Sequence, residues 1–452
     1  MAQIRDMTQG SPTKHIIAFA LPVMLGNVFQ QMYSIVDTMV VGNILGVEAL
    51  AAVGGAGWLD WLVLGFVLGM TQGFSILISQ RFGSGDQAGM RKAVTMSAVM
   101  TVATIIVVTT LSVSLCRQML LWMNTPAESL DLAHKYLRVI YLGVPISMSY
   151  NLFAGMLRAL GDSRTPLVAM IIASIVNIVL DILFVAFLDM GVEGAALATV
   201  TGQLFSALFC FMAVRRVPYF ILNRQDWRID VATLKQLSRL AFPIAGQNTF
   251  VGIGGVIMQG IINGFGVILM AGVSTAVRLS GILEIGASSV GSAMHPFAGQ
   301  NLGAGLYDRI REGVKKALVV SVSIALTLGI VGILFGRPLL SLFIADDTAN
   351  ADLVLDAAYN YFRVLCIMMF SLYALHVFRS TLQGMGEAVL TVVSSFLQVF
   401  MRTAVTYALT RLIGETGICV GDTLAWISAA LFLMVVYKFR INRLTSASQT
   451  QT

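Results

Sequence analysis

The chain has 452 residues, 57% of them hydrophobic and 12% charged, with a formal net charge of +6. Soluble domains carry roughly 25% charged residues, and a surface facing water cannot be covered with so few; lipid removes the difficulty because it demands an apolar exterior. A positive balance in a soluble domain would suggest nucleic acid, but the basic residues here sit in short loops between apolar runs, where they set membrane orientation, so the bilayer is the expected partner and nucleic acid is not.

In chain order, a polar N-terminus up to Lys14 leads into a long apolar run with no small-residue cleavage site, which reads as an uncleaved first span. Since a crossing needs about 20 apolar residues, spans are expected near 15–43, 50–80, 93–116, 134–157, 164–187 and 191–214. After the polar stretch Arg215–Leu240, a second set is expected near 241–264, 270–298, 315–343, 357–383, 387–412 and 418–440. The pattern predicts an all-α integral membrane protein of about twelve transmembrane helices.

Alternate loops differ in charge. One set, with both termini, holds Arg81, Arg91, Lys92, Arg158, Arg164, Arg215, Arg216, Lys235, Arg239, Arg309, Lys315 and Arg379; the opposite loops hold Glu128, Asp131, Asp346, Asp347 and Asp352 with few bases. Positive residues stay inside, which predicts a multi-pass protein of the inner (plasma) membrane with both termini cytoplasmic.

The chain also repeats itself. Phe19-Ala20-Leu21-Pro22 is echoed by Leu240-Ala241-Phe242-Pro243, and Gln80-Arg81-Phe82-Gly83-Ser84-Gly85 by Gln300-Asn301-Leu302-Gly303-Ala304-Gly305. Tyr136-Leu137-Arg138-Val139 matches Tyr361-Phe362-Arg363-Val364, and the same register carries Leu157 and Gly161 onto Leu382 and Gly386. We expect an N-terminal six-helix lobe over 1–214, a cytoplasmic linker over 215–240 and a C-terminal six-helix lobe over 241–452. Six spans per half make the halves enter the membrane the same way round, which predicts a pseudo-two-fold axis along the membrane normal.

Charges inside a bilayer are costly and usually functional. The first half is read as offering two, Asp37 in span 1 and Asp181 in span 5, with Asn177 one turn before Asp181 and Thr199 in span 6. At about 1.5 Å per residue, Asp37 and Asp181 lie roughly 9 Å, and Thr199 roughly 12 Å, from the outer ends of their spans. Two adjacent carboxylates favour a shared proton; with amide and hydroxyl oxygens they equally suit Na⁺, a hard cation. A purely structural polar knot is the remaining reading. Asn27, Gln30 and Tyr33 lie at helical spacing along span 1, a polar stripe suited to a substrate cavity to which Asn151 is added. Pro22 removes a backbone hydrogen bond and invites a kink, either as a moving part or as a static bend.

The second half does not duplicate this set: its register puts Met258 opposite Asp37 and Arg402 opposite Asn177. Arg278, Glu284 and Arg402 are read as a charge network in which Glu284 neutralises Arg402 or Arg278, serving structure, gating or direct substrate contact. The four cysteines form no CxxC and the four histidines no HExxH. Leu160-Gly161-Asp162 and Val420-Gly421-Asp422 lack the leading Gly of a GxGD protease motif, and both Asp residues are placed near loop ends. There is no Walker Gly-Lys-Ser/Thr, so ATP drive within this chain is not expected; with no motif for covalent chemistry, the expectation is a protein that is not an enzyme and carries no cofactor.

The Pro22 opening with Gln30, Tyr33 and Val36-Asp37-Thr38, the two Gln-to-Gly loops, Leu157-Arg158-Ala159-Leu160-Gly161-Asp162 with Pro166, and above all Asn177-xxx-Asp181 with Thr199, resemble the multidrug and toxic compound extrusion (MATE) family, DinF-like branch. The resemblance covers nearly the whole chain. It implies a V-shaped pair of six-helix lobes that exports amphipathic, often cationic, compounds in exchange for H⁺ or Na⁺. It also implies that Asp37, Asn177, Asp181 and Thr199 form the first-lobe cation site. The NorM-like branch places further acids in spans 7 and 10, which this chain lacks. The expected function is therefore multidrug efflux by alternating access, with H⁺ or Na⁺ the only accessory, small organic molecules as substrates and a monomer as the working unit. A lipid-linked precursor flippase of the same wider superfamily is the nearest rival.

Overall fold

The computed structural model describes residues 4–123, 125–344 and 350–449; Asp346 and Asp347 of the acidic outer loop lie outside the described residues. Helices account for the whole described architecture: α1 Pro12–Val40, α2 Val47–Gly83, α3 Gln87–Trp122, α4 Ala127–Leu142, α5 Val144–Ala159, α6 Arg164–Asp181, α7 Gly191–Arg215, α8 Val231–Asn263, α9 Val267–Gly303, α10 Tyr307–Ser341, α11 Ala351–Gly384, α12 Ala388–Ile413 and α13 Thr416–Gln449. Among the described residues, eleven helices are long and apolar enough to cross a membrane, and twelve spans result if the bent pair α4/α5 is one of them.

That bend is the one departure from the predicted spans. A single helix was expected over 134–157; instead α4 and α5 meet at 45° around Gly143. Hydropathy is blind to such a break. Pro145 supplies it, because proline has no N–H to give the preceding turn, and Gly143 allows it, since a Cβ there would lie 2.4 Å from Val200 Cγ2.

By contact the chain forms two units. One gathers Leu21–Thr249 with the short stretch ending at Asp6; the other gathers Met7–Ala20 with the chain from Phe250 onward. Both α1 and α8 therefore change unit partway along, α1 one residue before Pro22 and α8 six residues after Pro243. Residues 215–240 belong to the first unit and are tied down. The hydroxyl of Thr95 donates to the Asp226 carbonyl at 2.8 Å, Lys92 to the Arg228 carbonyl at 3.2 Å, and Phe82 meets Tyr219 edge-on. The last third of this stretch is already the start of α8.

The internal repeat is visible in the turns. Ser84 N–H donates to Gln80 and Gly85 N–H to Phe82, and their counterparts Ala304 to Gln300 and Gly305 to Leu302, all at 3.0–3.1 Å. Gly85 and Gly305 sit at φ +69° and +72°, a region where a side chain is strained. Gly161 and Gly386 form the second matched pair, at φ +81° and +88°.

With lipid on the outside, helix association draws on close packing rather than on expulsion of apolar surface from water. Small residues supply it. Along α2, Gly65, Gly69 and Gly73 make a stripe at four-residue spacing, and a Cβ on Gly69 or Gly73 would lie 2.4 Å from Ala245 Cα or 2.3 Å from Ala241 Cα. Asn248 Nδ2 closes the stripe by donating to the Gly65 carbonyl at 2.9 Å. In the second unit Gly417 and Gly421 of α13 press against Leu409, Thr410 and Thr406 of α12 in the same way. Large side chains such as Phe400, Phe439 and Leu342 point outward, suited to lipid tails.

Candidate functional site

Within the first unit α6 and α7 pack through Gly202, where a Cβ would lie 2.9 Å from the Ala173 carbonyl oxygen and 3.2 Å from Asn177 Cβ. This approach joins two predicted residues: Asn177 Nδ2 donates to Thr199 Oγ1 at 3.4 Å. One turn on from Asn177 stands Asp181, with 0% exposure. Asp37 of α1 comes beside it, and the two carboxyl groups interact directly. Among the described residues no donor makes a well-formed hydrogen bond to either oxygen of Asp181, to Oδ1 of Asp37 or to Oδ1 of Asn177, all of them buried, although the Asn177 amide lies beside Asp181. Ionised, both groups can only accept; a proton on one of them lets it donate to the other. The four residues named from sequence thus come together as one oxygen-rich cluster.

Backbone geometry changes at this level. Asp181 is the last α-helical residue of α6, and Ile182–Phe187 continues as π-helix; Val41–Leu45 does the same at the end of α1, and the two wide turns touch. Such turns recur at functional positions.

The structure adds a residue the sequence reading missed. Asp60, within the candidate span formed by α2, is a further carboxylate of the first unit, with Oδ1 buried and without a hydrogen-bond partner among the described residues. Tyr33 and Tyr136 lie within electrostatic range of Asp37, Asp60 and Asp181 alike, so two phenol groups stand among three acids. Among the described residues no group of three His, Cys, Asp or Glu side chains is arranged to hold a metal ion. The donor set at Asp37, Asn177, Asp181 and Thr199, two carboxylates, an amide oxygen and a hydroxyl, fits a hard monovalent cation or a proton in its chemistry.

The predicted cavity residues fare unevenly. Gln30 is exposed, one turn before Tyr33, which is half-buried. Asn27 is half-buried on the same helix. Asn151 spends its amide on its own helix, donating to the Ser147 carbonyl at 2.8 Å, while its neighbour Tyr150 comes within range of Tyr33.

In the second unit the expected charge network is corrected. Arg402 is neutralised by Asp422, through an ion pair from Nε to Oδ1, and Tyr361 donates to the other oxygen of the same carboxylate. Asp422 is 3% exposed on the second turn of α13, not at a loop end. Among the described residues Glu284 makes no ion pair; it lies within electrostatic range of Arg402 and Asp422. Arg278 is exposed and joins no ion pair among the described residues, so it leaves the network. Met258, opposite Asp37, is buried in an apolar cluster with Tyr361 and Phe362.

Two repeated bundles of apolar helices, with polar residues sunk among them, define an internally duplicated membrane transporter. A MatE family model matches residues 22–183 and 243–409, and the chain belongs to the multidrug and toxic compound extrusion (MATE) family of efflux transporters. It is 30% identical over 357 residues to the probable multidrug resistance protein YpnP of Bacillus subtilis, covering 76% of this chain and 78% of that protein. It is 26% identical over 373 residues to a FAD transporter of Shewanella oneidensis, covering 80% and 82%. Among solved structures, a MATE protein in complex with MaL6 matches with a TM-score of 0.91 at 23% identity, over 98% of this chain and 99% of that one, a likeness of fold.

Proposed function

We propose that the protein is an antiporter of the inner membrane, both termini cytoplasmic, exporting amphipathic or cationic organic compounds in exchange for H⁺ or Na⁺. The observation that carries this reading is Asp181: a fully buried carboxyl, neither oxygen in a well-formed hydrogen bond among the described residues, beside a second carboxyl on α1. An ionised, unpaired carboxylate at such a place costs several kcal/mol, and a proton or a small cation offsets that cost. Loading the pair removes the repulsion between Asp37 and Asp181 and so changes how α1 packs on α6. Only a ligand that interacts differently with two conformations can shift their balance, and this pair meets that requirement. Relatives named as multidrug resistance proteins support the class of cargo.

The test is transport in proteoliposomes with pH and Na⁺ gradients imposed separately across a panel of organic cations. Wild-type protein is expected to move cargo against one of the two gradients, and Asp37→Asn to lose that coupling while inserting normally. Full gradient-driven export by Asp37→Asn would sink the proposal.

A further inference from the structure

A cavity of about 440 Å³ opens at the end of the first unit where α6 begins and α7 stops. The two helices run antiparallel there. The Ser206 hydroxyl donates to the Ala169 carbonyl at 2.8 Å, and Gly202 packs on Ala173 one turn further in. Continued toward the cavity, that pairing sets Arg164 level with Phe211 and carries Arg216 five residues beyond, roughly 7 Å along the axis. Both arginines line the cavity, and side chains of that length span the offset.

Arg164 and Arg216 are exposed, and among the described residues neither forms an ion pair. Asp162, the acid nearest to Arg164 in the chain, is turned inward. It is 1% exposed and accepts from the Arg164 and Thr165 N–H groups and from the Thr165 hydroxyl. The start of α6 is thus already capped, and what the cavity offers is two guanidinium side chains. The register that pairs Leu157 with Leu382 puts Val389 opposite Arg164, so the repeated frame does not require a base there.

Behind the arginines the wall turns apolar. Val168 stands one turn after Arg164, and Phe209 and Met212 lie two turns and one turn before Arg216 on the same face of α7. The apolar track runs on past the cavity. Ile175 follows Val168 at seven residues, and Leu208 and Phe205 precede Met212 at four and seven, all of them exposed. Seven residues of helix make a strip about 10 Å long. A soluble anion would use the arginines and leave this track bare; an amphiphile with an anionic head uses both.

We propose that the cavity between α6 and α7 binds an anionic phospholipid, its phosphate held by Arg164 and Arg216 and one acyl chain laid along Val168, Phe209 and Met212. The lipid belongs to the leaflet at that end of the helices, the cytoplasmic one in the orientation proposed above. Guanidinium and phosphate match as a fork to two oxygens, and basic pockets between transmembrane helices take anionic headgroups. The site lies within the first unit and stands whichever ion drives export.

The experiment uses full-length protein in a neutral detergent, with phosphatidylglycerol as the probe and the melting temperature as the readout. Phosphatidylglycerol is expected to raise the wild-type melting temperature by several degrees, as a ligand of the folded state does. Phosphatidylcholine should raise it much less, and glycerol 1-phosphate, a headgroup without chains, should leave it unmoved. Arg164→Gln and Arg216→Gln alter exposed side chains and should melt with the wild type in the absence of lipid, yet each should lose most of the shift, with Arg164→Lys keeping part of it. Arg215→Gln should retain the shift, because Arg215 lies over the Phe211 ring and outside the cavity lining. Asp37→Asn should retain it too, which separates this site from the coupling proposal. Equal shifts with phosphatidylglycerol and phosphatidylcholine overturn the assignment. So does a loss in Arg215→Gln as large as in Arg164→Gln, which would reduce the effect to general charge attraction. A glycerol 1-phosphate shift equal to that of phosphatidylglycerol also overturns it and gives the arginines to a free phosphate.

Discussion

The polar centres of the two units occupy matched positions and balance their charge in opposite ways. In the first, Asp181 of α6 lies beside Asp37, and both Asp181 oxygens, Oδ1 of Asp37 and Oδ1 of Asn177 are acceptors without a well-formed hydrogen bond among the described residues. In the second, the matched positions on α12 are Arg402 and Thr406, and Arg402 is held by Asp422, itself held by Tyr361. Tyr361 and Tyr136 are themselves register partners; one serves a neutralised ion pair, the other stands among three acids. The same backbone frame thus carries a pair of carboxyl groups with no ion-pair partner among the described residues in one unit and an arginine–aspartate ion pair in the other.

The largest expected effect comes from making the first centre neutral as well. Asp181→Asn is predicted to lower gradient-driven export at least about 100-fold, near the loss of a coupling energy of 3 kcal/mol (about 1.4 kcal/mol per factor of ten). Measured in proteoliposomes, an Asp181→Asn protein that still coupled would erase the distinction between the centres. The next effect unbalances the second centre. Asp422→Asn leaves Arg402 buried without its counter-charge and is predicted to cost about 3 kcal/mol of stability, read as a lower melting temperature in detergent. Adding Arg402→Met should recover most of that loss, whereas no second-centre change should alter which ion drives transport. The smallest effect belongs to Asp60→Asn: a several-fold weaker apparent affinity for organic cations at unchanged coupling, measured as the concentration for half-maximal export. A complete loss of coupling in Asp60→Asn would promote that carboxylate into the exchange centre itself.

What could be read in the chain follows from what each signal needs. Span count came from apolar length alone, and the repeat from glycines at turns such as Gly85 and Gly305, where no other residue is comfortable. The Asn177-xxx-Asp181 pair declared itself because two polar residues one helical turn apart stand out in an apolar run. Asp60 lacked any such neighbour: it sits in Trp58-Leu59-Asp60-Trp61-Leu62, and only tertiary packing brings Tyr33 and Tyr136 toward it. The partner of Arg402 was misread for a different reason. Sequence alone puts Asp422 near a loop end, but α13 begins at Thr416 and Gly421 lets α13 close on Thr406, which carries the Asp422 carboxylate to α12. The bend at Gly143 escaped because hydropathy measures composition and not direction.

Because α1 and α8 each donate a stretch of helix to the unit formed mainly by the other half of the chain, neither half is a self-sufficient folding piece. A gene cut within 215–230 would give two fragments, the first lacking the residues of α8 that fill the Gly65–Gly73 stripe of α2, the second lacking Met7–Ala20. Each fragment made alone would expose a groove cut for its missing helix and be cleared by membrane proteases; produced together, they would be recovered as a pair. The two halves of the chain thus lend each other a length of helix even though their polar centres differ in charge.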